Sequence, residues 1–148
     1  MADSGTLVWV LNGPNLDRLG TREPDVYGRT DYAGLVEQVS ADAAALGLQV
    51  EVRQTNDEAE LIAWLHEAAD RSVPVVLNPA AFTHYSYAVR DACAMLTAPL
   101  IEVHLTNPMS REEFRHTSVV AGVANGSIAG FGVDSYRLAL RALVGLLR

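Results

Sequence analysis

Short apolar runs alternate with helical repeats along this chain. The runs are Leu7–Leu11, Leu48–Val52, Pro74–Leu77, Leu100–Leu105 and Ser127–Phe131. They are aliphatic or β-branched and mostly do not alternate with polar residues, the pattern of parallel strands covered on both faces. From Asp31, the residues Tyr32, Leu35, Val36, Val39, Ala43 and Leu46 recur at helical spacing, and Gly47 closes that helix. The next helix opens at Asp57, with Glu60 three residues on as in a capping box. Leu61, Ile62, Leu65, Ala68 and Ala69 form its apolar face. A third helix is expected over Thr83–Leu96, and a last one over Asp134–Leu147 with Tyr136, Ala139, Leu140 and Leu143 on its stripe.

Repeated strand–helix units predict a parallel sheet with helices on both faces, joined by right-handed crossovers. The expected fold is α/β, a five-stranded doubly wound sheet of flavodoxin type, formed as one domain over residues 1–148. In such sheets ligands bind beyond the carboxyl ends of the strands. The connection after the first run stands out there. It runs from Asn12-Gly-Pro-Asn15 through Arg22-Glu-Pro-Asp-Val-Tyr27-Gly28, whereas strand-to-helix connections usually take about 2–6 residues. The third run is followed by Asn78-Pro-Ala-Ala-Phe-Thr-His84-Tyr-Ser86. The fourth carries Glu102-Val-His104-Leu-Thr106-Asn107, and Arg111 and Arg115 follow.

Composition narrows the chemistry. The apolar fraction is 49% and the net charge −7, so the chain can bury a core but lacks the basic face that nucleic acid needs. No apolar run is long enough to span a membrane. The N-terminus shows no signal region, and Cys93 has no partner for an internal disulfide, so a cytoplasmic protein is expected. No His or Cys spacing suggests a metal site, no Gly-x-Gly-x-x-Gly follows the first run, and no Gly-x-Ser-x-Gly elbow occurs. Proton transfer by His and Tyr remains, with anion binding by Arg and backbone amides.

At these positions the chain resembles the type II 3-dehydroquinate dehydratases. The matching segments are Leu11-Asn-Gly-Pro-Asn-Leu16, Glu23-Pro-x-x-Tyr27-Gly28, Arg53-Gln54, Asn78-Pro-Ala-Ala81 with Thr83-His84, Ile101-Glu-Val-His104, Glu113-Phe-Arg-His116 and Ser118. They lie in order over most of the chain. The resemblance implies a flavodoxin-like fold and a cofactor-free, metal-free dehydration of 3-dehydroquinate to 3-dehydroshikimate through an enolate, in the shikimate pathway. It implies Tyr27 as general base, activated by Arg22, and Asn15 as the group orienting a water at the enolate oxygen. His104 would protonate the departing hydroxyl. Glu102, two residues before His104 on a strand, shares its face and could orient the imidazole.

By the same resemblance the substrate carboxylate meets Asn78 and the amides of Leu105 and Thr106, and the ring hydroxyls meet His84 and Arg115. Asp91 would reach a neighbouring subunit's site in a homo-oligomeric dodecamer, a tetramer of trimers. Thr106 stands where Ser is usual, Val119 where Tyr is common, Ala121 where Ser is common and Ser135 where Gly is usual. Tyr85 replaces a commoner Thr and would narrow the pocket rim. Each residue also has a plainer reading. Tyr27 and His104 could be packing residues, His84 could sit in a helix's first turn, Asp91 and Arg90 could be a solvated face, and Arg111 and Arg115 could pair with Glu112 and Glu113 at the surface. His116 reads as structural. The rival functions are a non-catalytic flavodoxin-like binding or regulatory domain, and another cofactor-free lyase acting on a cyclic polyhydroxy acid.

Overall fold

A strand with both faces covered must send alternate side chains into two separate cores, and the first strand does so. In the computed structural model, which describes residues 5–21, 23–27 and 30–148, β1 (Thr6–Asn12) is buried from Val8 to Asn12. Val8 and Val10 enter one apolar cluster and Trp9 and Leu11 the other. β1 pairs in parallel with β2 (Leu48–Gln54) and with β3 (Val75–Asn78). β4 (Leu100–His104) and β5 (Gly126–Ala129) extend the sheet in the order β2-β1-β3-β4-β5, all parallel. That is the flavodoxin-like strand order, whose reversal of direction falls between β1 and β3.

The connection after β1 holds a 3-10 turn at Leu16–Arg18 and a single helical turn, α1 (Pro24–Tyr27). Arg22, Gly28, Arg29 and the side chain of Tyr27 lie outside the described residues. α2 (Tyr32–Ala45) is capped by Asp31, whose carboxylate accepts from the Gly34 amide. α3 (Glu58–Arg71) is capped by Asp57, which accepts from Ala59. α5 (Asp134–Leu146) buries Tyr136, Ala139, Leu140 and Leu143, the expected stripe. α2 and α5 cover the cluster of Val8 and Val10; α3 and α4 (Tyr87–Ala94) cover that of Trp9 and Leu11.

Of the boundaries that depart from expectation, three have a clear consequence. The third helix does not begin at Thr83: Ala80–His84 is a 3-10 turn, and α4 starts only at Tyr87, where Ser86 accepts from the Val89 amide as its cap. Apolar spacing runs through both segments, but a side chain able to accept the orphan amides sets the start. β5 covers Gly126–Ala129 rather than Ser127–Phe131, because Gly130 turns out of the sheet at φ 100°. β4 ends at His104, which leaves Leu105 in the loop beyond it.

Candidate active site

Parallel strands of unequal length leave a crevice beyond their carboxyl ends. Here it lies over β1, β3 and β4. The cleft is lined by Pro14, Asn15, Leu16 and Leu19 after β1, and by Asn78, Ala80, Ala81 and His84 at the end of β3. His104, Leu105, Thr106, Pro108, Arg111 and Arg115 close it after β4. Its free space, open mouth included, is about 720 Å³. Among the described residues, no three His, Cys, Asp or Glu side chains cluster in a way that would hold a metal ion.

The floor is fixed by a buried polar strut. Tyr136 on α5 donates its hydroxyl proton to Asn12 Oδ1 at 2.6 Å and accepts from Asn78 Nδ2 at 2.9 Å. The tips of β1 and β3 are thereby tied to each other and to the last helix. Burial pushes the Tyr136 hydroxyl pKa far up, with the bond from Asn78 opposing only in part, so it remains a donor. Asn78 Oδ1 accepts from the Ala80 amide, which helps to hold Ala80 at φ 51°, a conformation most L residues avoid. Asn15 is also left-handed, at φ 72°. Its amide donates to Asn56 Oδ1 at 2.9 Å, and Gln54 Nε2 donates to the Gly13 carbonyl at 3.2 Å. The end of β2 thus clamps the start of the long connection. Arg53 faces away from the cleft and stacks 4.0 Å over the Trp9 ring.

A dense cluster of polar side chains is built on β4. Leu100, Glu102 and His104 share one face, and Glu102 is 1% exposed in the middle of it. Its Oε2 accepts from His104 Nε2 at 2.6 Å and from Thr83 Oγ1 at 2.5 Å. Ser118 Oγ lies 2.9 Å from Oε1. Burial alone would raise the Glu102 pKa, but the bonds from His104, Thr83 and Ser118 and the His104 charge outweigh it and hold the carboxyl below its usual range. An ionised carboxylate has no proton to give, so the proton in this pair sits on His104 Nε2, and Nδ1 is the nitrogen left over.

His84 sits at the end of the 3-10 turn. Burial and the nearby cations of His104 and Arg115 depress its pKa despite the bond to the Thr117 carbonyl and the Glu102 charge. Its Nδ1 lies 2.8 Å from the Thr117 carbonyl oxygen, which can only accept. The neutral ring therefore carries its proton on Nδ1 and presents Nε2 as an acceptor. Arg111 and Arg115 are surface residues in neither position nor partnership alone. Their side chains are only 11% and 16% exposed, they line the cleft, and they flank Glu112 at 3.8 and 2.9 Å.

The structure thus gathers Asn15, Asn78, His84, His104, Leu105, Thr106 and Arg115 around one cleft, with Glu102 directly behind His104. It does not bring Asp91 there: that side chain, on α4, is 71% exposed and lies 3.5 Å from Arg90. Tyr85 packs edge-on against Phe82 and does not line the cleft, so it does not narrow the rim. Arg111, placed by the sequence after the fourth strand but given no role there, is also a cleft residue. α1 stands beside the cleft. Glu23, Asp25 and Val26 line an adjoining hollow with Leu105, Thr106 and Arg111, and Glu23 lies 3.8 Å from Arg111.

The chain as a whole is similar to known proteins. The family model described as dehydroquinase class II matches residues 6–144. The 3-dehydroquinate dehydratase of Salinispora tropica is 64% identical over 95% of this chain and 99% of its own length. That of Mycolicibacterium paratuberculosis is 58% identical over 94% of this chain and 97% of its own. The crystal structure of a type II dehydroquinase from Propionibacterium acnes superimposes with a TM-score of 0.93 at 50% identity, covering 95% of this chain and 97% of that one.

Proposed function

Because this chain belongs to the class II dehydroquinase family and dehydrates 3-dehydroquinate, we propose that the cleft over β1, β3 and β4 carries that reaction, with the roles as follows. The substrate carboxylate binds at Asn78 and at the amides of Leu105 and Thr106. Its ring hydroxyls meet His84 Nε2, as an acceptor, and the Arg115 guanidinium. Tyr27, activated by Arg22, removes the proton next to the ketone. Charge then develops on the ketone oxygen, where Asn15 orients a water that donates to it; fixed donors at such a point act chiefly on the transition state. His104 delivers a proton to the departing hydroxyl, which leaves as water as the carbon–carbon double bond forms. That step needs a proton on Nδ1 besides the one on Nε2 that Glu102 holds, and the same bond fixes the plane of the ring.

The observation that carries this reading is the 2.6 Å contact of His104 with a buried, ionised Glu102 at the wall of a cleft that also holds Asn15, Asn78, His84 and Arg115. A second feature of the chain limits the route. All eleven basic residues are arginine, and there is no lysine anywhere. A Schiff base between a lysine and the ketone is therefore unavailable, and an enolate is the way to carry the charge. Adding 3-dehydroquinate and following ultraviolet absorbance tests the assignment: a conjugated enone should appear in proportion to enzyme, and none at high enzyme concentration would overturn it.

Asp91 serves a neighbouring subunit in the same reading, within a dodecamer built of trimers. Its exposed place on α4, away from its own chain's cleft, supports this. Sizing the native particle in solution is the check. A fully active monomer would leave Asp91 no site to complete.

A further inference from the structure

We propose that Ser118 and Thr83 are positioning residues for this reaction: their hydroxyls lock the Glu102 carboxylate in one orientation and thereby hold His104 in line with the leaving hydroxyl. The inference rests on the roles given above to Glu102 and His104.

A hydroxyl has one proton and two acceptor lone pairs. Both lone pairs of Ser118 Oγ are engaged by backbone, accepting from the amides of Val120 at 3.2 Å and Ala121 at 3.0 Å. Its proton is therefore directed at the acid cluster, where Glu102 Oε1 lies at 2.9 Å, Oε2 at 3.1 Å and Thr83 Oγ1 at 2.7 Å. Thr83 donates to Oε2 at 2.5 Å and is itself buried. The two hydroxyls approach Glu102 from different segments. Thr83 comes from the turn before α4, and Ser118 from the loop before β5. The two segments are joined by the Val119 amide, which donates to the Thr83 carbonyl at 2.7 Å. Glu102 is thus gripped on three sides, and only the side facing His104 leads to the cleft.

The groups that face Glu102 are His104 on its own strand, His84 in the turn before α4 and Cys93 on α4; Arg115 in turn bears on His84. Cys93 is pushed up to about 12 by burial and the Glu102 charge, and His84 is held neutral. Protonation of Glu102 releases His104 from its partner, so it adds its own fall in rate at the acid end of the profile, besides the one that the ionisation of Tyr27 sets. Removing a donor to the carboxylate raises its proton affinity, so that fall moves to higher pH.

Thr83→Val keeps the shape and removes the hydroxyl, Thr83→Ser keeps the hydroxyl, and Ser118→Ala removes the second donor. Hydrogen bonds to charged groups make an effect of about tenfold to a hundredfold reasonable. The expected result is that Thr83→Val and Ser118→Ala lower kcat by that much with KM within about twofold, that both raise the acid limb of the kcat profile, and that Thr83→Ser restores rate and limb. Folding is checked by circular dichroism and thermal melts. An unchanged rate and limb in the folded variants would overturn the proposal. So would a Thr83→Ser enzyme as impaired as Thr83→Val, or failure of both Thr83→Val and Ser118→Ala to fold, since the hydroxyls would then be scaffold. His104→Gln run in parallel separates the two levels. If it keeps full turnover, the role given to His104 fails; if it is inactive while Thr83→Val and Ser118→Ala match wild type, only the positioning role fails.

Discussion

Replacing His104 with glutamine is expected to lower kcat by about a hundredfold to ten-thousandfold, the range that a positioned general acid contributes, with little change in KM or thermal midpoint. Glutamine is the informative choice because its amide can still donate to Glu102 Oε2 and fill similar space. What it lacks is a proton it can give up. An alanine there would also leave an ionised, buried carboxylate without one of its donors, and such a loss is costly to the fold. The variant isolates chemistry from packing for that reason. Steady-state kinetics with 3-dehydroquinate and a melting curve decide it, and turnover within tenfold of wild type would remove His104 from the proton-delivery step.

The second large effect is expected at the other end of the reaction. Tyr27→Phe deletes one hydroxyl at the end of α1, and kcat should fall by a similar two to four orders of magnitude at every pH. An unperturbed tyrosine loses its proton near pH 10, so about 0.1% is ionised at neutral pH. A base of that kind needs a cation close by, and Arg22 is the residue proposed for it. Arg22→Ala should therefore behave differently from Tyr27→Phe. Its deficit should shrink as pH rises, because alkali ionises the tyrosine without the arginine's help. Profiles of kcat against pH for the two variants distinguish these outcomes. If Arg22→Ala keeps a near-normal rate at neutral pH, the activating role is wrong.

Much of the frame was legible because it depends on local pattern. Apolar runs placed all five strands within a few residues, and the α5 stripe of Tyr136, Ala139, Leu140 and Leu143 is buried as periodicity predicts. Strand parity alone put Glu102 and His104 on one face, and the 2.6 Å contact follows. The start of α4 was not legible, since Thr83 fits the apolar spacing and only its bond to Glu102 shows that it belongs to the site. For Arg111 and Arg115 the sequence left a surface pairing open beside a place at the strand ends, because neither Glu112 nor Glu113 reveals which way the loop folds back over β4. The Ser118 grip on Glu102 and the Tyr136 strut join segments distant along the chain. No periodicity encodes such pairs. They appear only once the sheet has brought the strand ends together.

That strut also bears on how the enzyme comes into being. Asn12 and Tyr136 are separated by 124 positions, nearly the whole length of the chain. During synthesis β1 to β4 and most of the cleft wall emerge well before α5 does, and domains assemble progressively as the chain grows. Until α5 docks, Asn12 and Asn78 have no Tyr136 hydroxyl between them, and the floor of the cleft is untied. The aligned floor of the cleft therefore waits on α5, and a chain that stops short of that helix can own every proposed reacting group and still lack the platform that aligns them.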